Sequence, residues 1–234
     1  MINAADLECR DFNADHTIRL IPTAYFNEPA LSPLADSPDE LDILAEIEGL
    51  TSARLTAPLP VPGGLDPAEL RSEADGYGWS YVNAAFCYTR AQGNRFNGPL
   101  RGAWYASFGE NAIQTAQAEV AWHLTRELEA TGIFDNTTAY RELIAGFNSK
   151  FHDLTPYPQN VILNKSPAIA YPAGQALAQD ILASGGNGLI YPSVRQTKGR
   201  CIVALRPNLV QNIRQGNQWV FTWSGSAIPE IIRT

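Results

Sequence analysis

Asn111-Ala112-Ile113-Gln114-Thr115-Ala116-Gln117-Ala118-Glu119-Val120-Ala121-Trp122-His123-Leu124-Thr125-Arg126-Glu127-Leu128-Glu129-Ala130 is the most regular stretch of the chain. Ile113, Ala116, Val120, Leu124 and Leu128 recur at helical steps, which lays one apolar stripe along a helix spanning about 111–130. Gly132, just beyond, suits the left-handed residue that ends many helices. Glu119 and His123 are neighbours on the flank of the stripe, one turn apart. Around this helix the other signals are short. A second helix is expected over roughly 173–183, stopping at Ser184-Gly185-Gly186-Asn187-Gly188. Val161-Ile162-Leu163, Leu189-Ile190-Tyr191, Cys201-Ile202-Val203-Ala204-Leu205 and Gln218-Trp219-Val220-Phe221-Thr222 read as strands. Helices and strands without regular alternation indicate an α+β fold, with the 111–130 helix packed by its Ile113, Val120 and Leu124 face.

Towards the N-terminus the pattern loosens. Residues 28–40 read as a loop that ends in Ser37-Pro38-Asp39-Glu40, a helix start with a capping side chain, a first-turn proline and two acids at the positive end of the dipole. The helix would run over 41–48 and stop at Gly49. Pro58, Pro60, Pro62, Gly63, Gly64 and Pro67 make 57–67 a surface loop, taken here as lying inside a single domain of 1–234. The chain has 234 residues, 45% of them hydrophobic, enough for a real core. Its net charge of −7 argues against a nucleic-acid or membrane surface, both of which need clustered Lys and Arg. Cys9, Cys87 and Cys201 lie far apart and are odd in number, which fits reduced thiols in a cytosol. No apolar run approaches a membrane span and Met1–Arg10 has no apolar core for a signal, so a soluble cytoplasmic protein is expected.

Generic motifs leave the chemistry open. Gly185-Gly186-Asn187-Gly188 follows a helix and precedes a strand, the reverse of a phosphate-cradling loop, so it reads as a helix-ending turn. His16, His123 and His152 have no metal-ligand spacing, and no metal is expected. Trp79, Trp104, Trp122, Trp219 and Trp223 lack the basic stripe of a base-stacking platform. Ser193 has no nucleophile elbow around it.

A set of segments in order is more informative. They are Thr17-Ile18-Arg19-Leu20-Ile21-Pro22, Gly93-Asn94-Arg95-Phe96-Asn97-Gly98, Gly102-Ala103-Trp104-Tyr105-Ala106, Ala118-Glu119-Val120-Ala121-Trp122-His123 and Gly188-Leu189-Ile190-Tyr191-Pro192-Ser193-Val194-Arg195, closed by Cys201-Ile202-Val203-Ala204-Leu205-Arg206-Pro207. From about residue 16 to 225 the chain resembles the RES family, whose pattern has an early arginine, a Gly-Arg-aromatic-Asn turn, an aromatic-Tyr-Ala strand, a helix carrying Glu and a late strand ending at Ser. Two features depart from it. The Tyr105–Glu119 spacing is longer, which places an insertion in the loop Phe108-Gly109-Glu110-Asn111, and Asn94 stands where Gly or Ser is usual.

The resemblance implies a compact fold of the ADP-ribosyltransferase type, two small and mostly antiparallel sheets around an NAD cleft with flanking helices. It implies a toxin that consumes NAD by hydrolysis or phosphorolysis of the nicotinamide–ribose bond. An Xre-type antitoxin would neutralise it, and any homo-oligomer would form through that complex. Two rivals remain: a mono-ADP-ribosyltransferase that uses NAD to modify a protein, and an inactive partner-binding module. By the same resemblance Arg19 and Arg95 would clamp the pyrophosphate, since guanidinium forks match its oxygens. Glu119 would stabilise the positive charge that develops on the ribose. Tyr105 would stack on nicotinamide or orient the ribose, and Ser193 would hydrogen-bond the ribose or the amide. Apart from the resemblance, His123 is expected to support Glu119 as its neighbour one helical turn on.

Overall fold

The structure is a computed structural model that describes residues 2–23, 37 and 63–234. The helix expected over 41–48 lies outside the described residues. So do the loop 28–40 with its helix start, apart from Ser37, and the part of the 57–67 loop before Gly63.

Seven strands, β1 (Cys9–Pro22), β2 (Trp104–Phe108), β3 (Asp135–Asp153), β4 (Gly188–Pro192), β5 (Arg200–Ala204), β6 (Gln211–Ser224) and β7 (Glu230–Arg233), form the framework. Their order is β1-β2-β5-β4-β3-β6-β7, and β1 also pairs with β3. β1, β3, β6 and β7 make one antiparallel layer and β2, β5 and β4 another. The layers join where Thr17 and Ile18 meet Phe108 and Ser107, and where His152 and Asp153 run parallel to Leu189 and Ile190. The expected α+β architecture of mostly antiparallel strands is therefore what the chain adopts, with its two layers hydrogen-bonded to each other.

Three helices of the described residues cover these layers: α1 (Trp79–Cys87), α2 (Ala112–Thr131) and α3 (Pro167–Ala183). α2 ends at Gly132 in the left-handed region, φ 69°, and its Ile113, Val120, Leu124 and Leu128 pack on Ile18, Leu20, Tyr140, Phe221 and Trp223. α3 lays Leu177, Ala178 and Ile181 on Leu189 and Val203. It starts six residues earlier than its sequence signal, at Pro167 rather than about 173, with Pro172 inside the helix. Pro172 is exposed, so the carbonyl its ring leaves unbonded can face water. Gly185 (φ 80°) and the Gly186 N–H bond to Ile181 O at 2.7 Å close the helix, as expected of a terminating turn.

One strand expectation is corrected. Val161–Leu163 is a 3₁₀ turn, held by Asn160, whose side chain accepts from the Ile162 N–H. Local side-chain capping of this kind competes with strand pairing, and three apolar residues offer too little to oppose it.

Candidate functional site

Between α2, β1, β2 and the turn at 94–97 lies a cavity of about 560 Å³, lined among others by Arg19, Arg95, Tyr105, Glu119, Trp122, His123, Tyr171, Tyr191 and Arg195. Local sequence builds each wall. Gly93 takes φ 64°, and a Cβ there would sit 2.0 Å from Asn97 O, so only glycine lets Asn94 N–H bond back to Asn97 O at 2.8 Å. The tight turn that results presents Arg95. On the opposite side Gly174 of α3 presses on the Arg95 backbone, where a Cβ would meet the carbonyl oxygen at 2.2 Å.

Arg95 is buried. Its Nη1 donates to the carbonyls of Ile162 and, at 3.0 Å, Asn164, while its guanidinium lies 5.9 Å from the Tyr171 ring centroid. Arg19 lies 5.0 Å over Trp104, and its Nη1 donates to Tyr105 O at 3.2 Å. Burial pushes its pKa down to about 10, which leaves it cationic at neutral pH. The Tyr105 hydroxyl donates to Asn97 Oδ1 and accepts from the Phe96 N–H, both at 2.9 Å, tying β2 to the arginine turn. Burial raises its pKa well above the ordinary tyrosine value, so it acts as a phenol.

Glu119 projects from α2 into the same space. Its Oε1 accepts from the Ser193 hydroxyl at 2.7 Å. Burial raises the carboxyl pKa, and the Ser193 hydrogen bond, Arg195 and Arg95 oppose that rise. Its neighbour His123 packs edge-on against Trp122, ring centroids 4.9 Å apart, and is held neutral down to about pH 4 by burial and by Arg90, Arg195, Arg126 and Arg95. The hydrogen bond to Glu119 thus comes from Ser193 rather than from His123.

The cavity therefore gathers Arg19, Arg95, Tyr105 and Glu119, with Ser193 directly behind Glu119. Arg195, Trp122 and Tyr171 line the cavity as well, and no motif in the sequence marks them for it. Arg195 lies two residues past Ser193, and that adjacency is its one signal in the sequence. Among the described residues no group of three His, Cys, Asp or Glu side chains is gathered to hold a metal, and no helix is long and apolar enough to cross a membrane.

A family model for the RES domain matches residues 70–224, about two thirds of the chain. The chain belongs to the RES-domain family. Within this RES domain, Arg95, Tyr105, Glu119, Ser193 and Arg195 fall inside the matched stretch, whereas β1 with Arg19 precedes it. The RES chain is also similar to a solved structure described as the M. tuberculosis MbcT–MbcA toxin–antitoxin complex, at 19% identity and a TM-score of 0.34, over 58% of this chain and 74% of that one. No curated protein matches it.

Proposed function

We propose that this RES domain cleaves the nicotinamide–ribose bond of NAD and acts as a cytoplasmic toxin restrained by an Xre-type antitoxin. The observation that carries the enzymatic reading is a charge imbalance. Arg19, Arg95 and Arg195 line one cavity, and among the described residues none of them makes a salt bridge to a carboxylate. The same lining holds two acids, Glu127, which is paired with Arg90 at 3.1 Å, and Glu119, in a chain whose overall charge is −7. Partly buried guanidinium groups with no salt-bridge partner among the described residues favour a ligand that brings negative charge, and the pyrophosphate of NAD brings two. A volume of about 560 Å³ is of the size that small-molecule sites have.

In this reading the C1′–N bond breaks with its electron pair leaving on nicotinamide. The ribose becomes oxocarbenium-like, and the ionised Glu119 carboxylate, oriented by Ser193, stabilises that charge. An acceptor oxygen from water or phosphate then bonds to C1′ and gives up its proton if it carries one. Tyr105 and Tyr171 offer ring faces to the nicotinamide or the adenine. The antitoxin and the toxic role come with the family.

The test is incubation of purified protein with NAD, with and without phosphate, followed by mass analysis. Free nicotinamide with ADP-ribose supports hydrolysis, and a phosphorylated ADP-ribose supports phosphorolysis. ADP-ribose appearing on an added protein would favour the transferase. Intact NAD in the presence of folded protein and every acceptor would leave only a binding module.

A further inference from the structure

Resting on the reading above, we propose that Arg195 is a direct contact for the diphosphate of the substrate and that Arg95 mainly braces the cavity wall. The two guanidinium groups are committed differently. Arg95 already donates Nη1 to two backbone carbonyls, Ile162 O and Asn164 O, and its own backbone is wedged against Gly174. It ties the 94–97 turn to the 3₁₀ turn and to the start of α3. Arg195 is half-buried and lines the same cavity. Its Nη2 donates to Lys165 O at 2.7 Å, its face lies 3.5 Å over the Trp122 ring, and its buried Nε has no hydrogen-bond partner. A guanidinium carries five N–H donors in a fixed plane. Trp122 and Lys165 fix that plane and leave donors unused.

A desolvated N–H left without an acceptor is costly. An anionic oxygen entering the cavity would gain a charge-assisted bond from the guanidinium donors that remain within its reach. Arg195 also sits beside the reaction centre. Its backbone N–H donates at 3.1 Å to the Ser193 hydroxyl that in turn holds Glu119. Diphosphate bound at Arg195 would thus be placed next to the carboxylate through a single turn of chain.

Calorimetric titration with ADP-ribose and with inorganic pyrophosphate tests this on the wild type, Arg195→Gln, Arg195→Lys and Arg126→Gln. Arg126 also stacks on Trp122, at 4.8 Å, but does not line the cavity, so its variant makes the same change in charge and loses the same kind of ring contact. Arg195→Gln should weaken both probes by roughly tenfold or more, the worth of one charge-assisted hydrogen bond. Arg195→Lys should fall between it and the wild type, and Arg126→Gln should stay within about twofold of the wild type. Thermal melts show whether each variant folds, and Arg195→Lys carries the comparison if Arg195→Gln does not. Equal binding by the wild type and the Arg195 variants, equal losses in Arg126→Gln, or no binding of either probe by the wild type would overturn the assignment. Arg195-dependent probe binding in a protein that leaves NAD intact would remove the proposed reaction and keep this site.

Discussion

The Ser193 hydroxyl donates to Glu119 Oε1 at 2.7 Å while accepting from the backbone N–H groups of Arg195 and Gln196, each at 3.1 Å. A serine hydroxyl offers one donor and two acceptor lone pairs, so these three bonds fill it. Gly199 allows the arrangement, since a Cβ there would lie 2.9 Å from Ser193 Cβ. Such a residue orients the carboxylate and has little left for substrate. Ser193→Ala should therefore lower kcat more than it raises KM. It should also move the acidic limb of the pH–rate profile upward, because the lost hydrogen bond is one that favours the ionised Glu119. A pH–rate profile of both proteins checks this, and a pure KM effect with an unmoved limb would count against it.

Glu119 carries a stability signature of its own. Its folded pKa is raised above the ordinary 4.5, chiefly by burial. The folded chain then holds this proton more tightly than the unfolded one. The stability it contributes is present below about pH 4.5 and lost as pH rises through the raised folded value. Glu119→Gln removes that loss and keeps an oxygen for Ser193. Its Tm should exceed that of the wild type at neutral pH, with the difference shrinking in acid. Melting curves across pH decide, and a Gln variant less stable at neutral pH would contradict the sign.

His123 works in the opposite direction. Burial and the surrounding arginines lower its pKa from 6.5 to about 4. As pH falls through that interval the unfolded chain takes up a proton that the folded one refuses, so stability declines. In His123→Gln the decline between about pH 6.5 and 4 should flatten. Thermal melts in that range are sufficient, and an unchanged slope would contradict the assignment.

The contact between α3 and the arginine turn is tight enough to test by one methyl group. With Gly174 Cβ placed 2.2 Å from Arg95 O, Gly174→Ala must push helix and turn apart. Overpacking of this kind costs roughly 1–3 kcal/mol. The shift also displaces Arg95, so NAD turnover should fall along with Tm. Calorimetric melts and activity together check it, and a variant as stable as wild type would show that the interface is softer than it looks.

What was legible in the sequence followed periodicity and turn chemistry. The α2 stripe, its Gly132 cap and the Gly185–Gly188 stop all act locally, and all appear where expected. β3, the longest strand, has no such signature, because Glu142 faces inward. It is buried, accepting from Trp219 Nε1 at 2.7 Å and from Asn217 N–H at 3.0 Å, partners on β6 that no local pattern reveals. The ordered segments brought Arg19, Arg95, Tyr105 and Glu119 to one cavity. Arg195 and Trp122 carry no local sign of their stacking, which depends on a loop after β4 reaching a helix more than seventy residues earlier. Tertiary contact of that range leaves no spacing to read.

The most direct test of the proposed reaction is nicotinamide release, followed together with NAD binding, for the wild type and Glu119→Gln. If the carboxylate stabilises charge that appears only at the transition state, the wild type should release nicotinamide and Glu119→Gln should do so about 10²–10³ times more slowly. The variant's affinity for NAD should be close to that of the wild type, since ground-state contacts are kept. A folded wild type that releases no nicotinamide, or a Glu119→Gln protein as fast as the wild type, would contradict it.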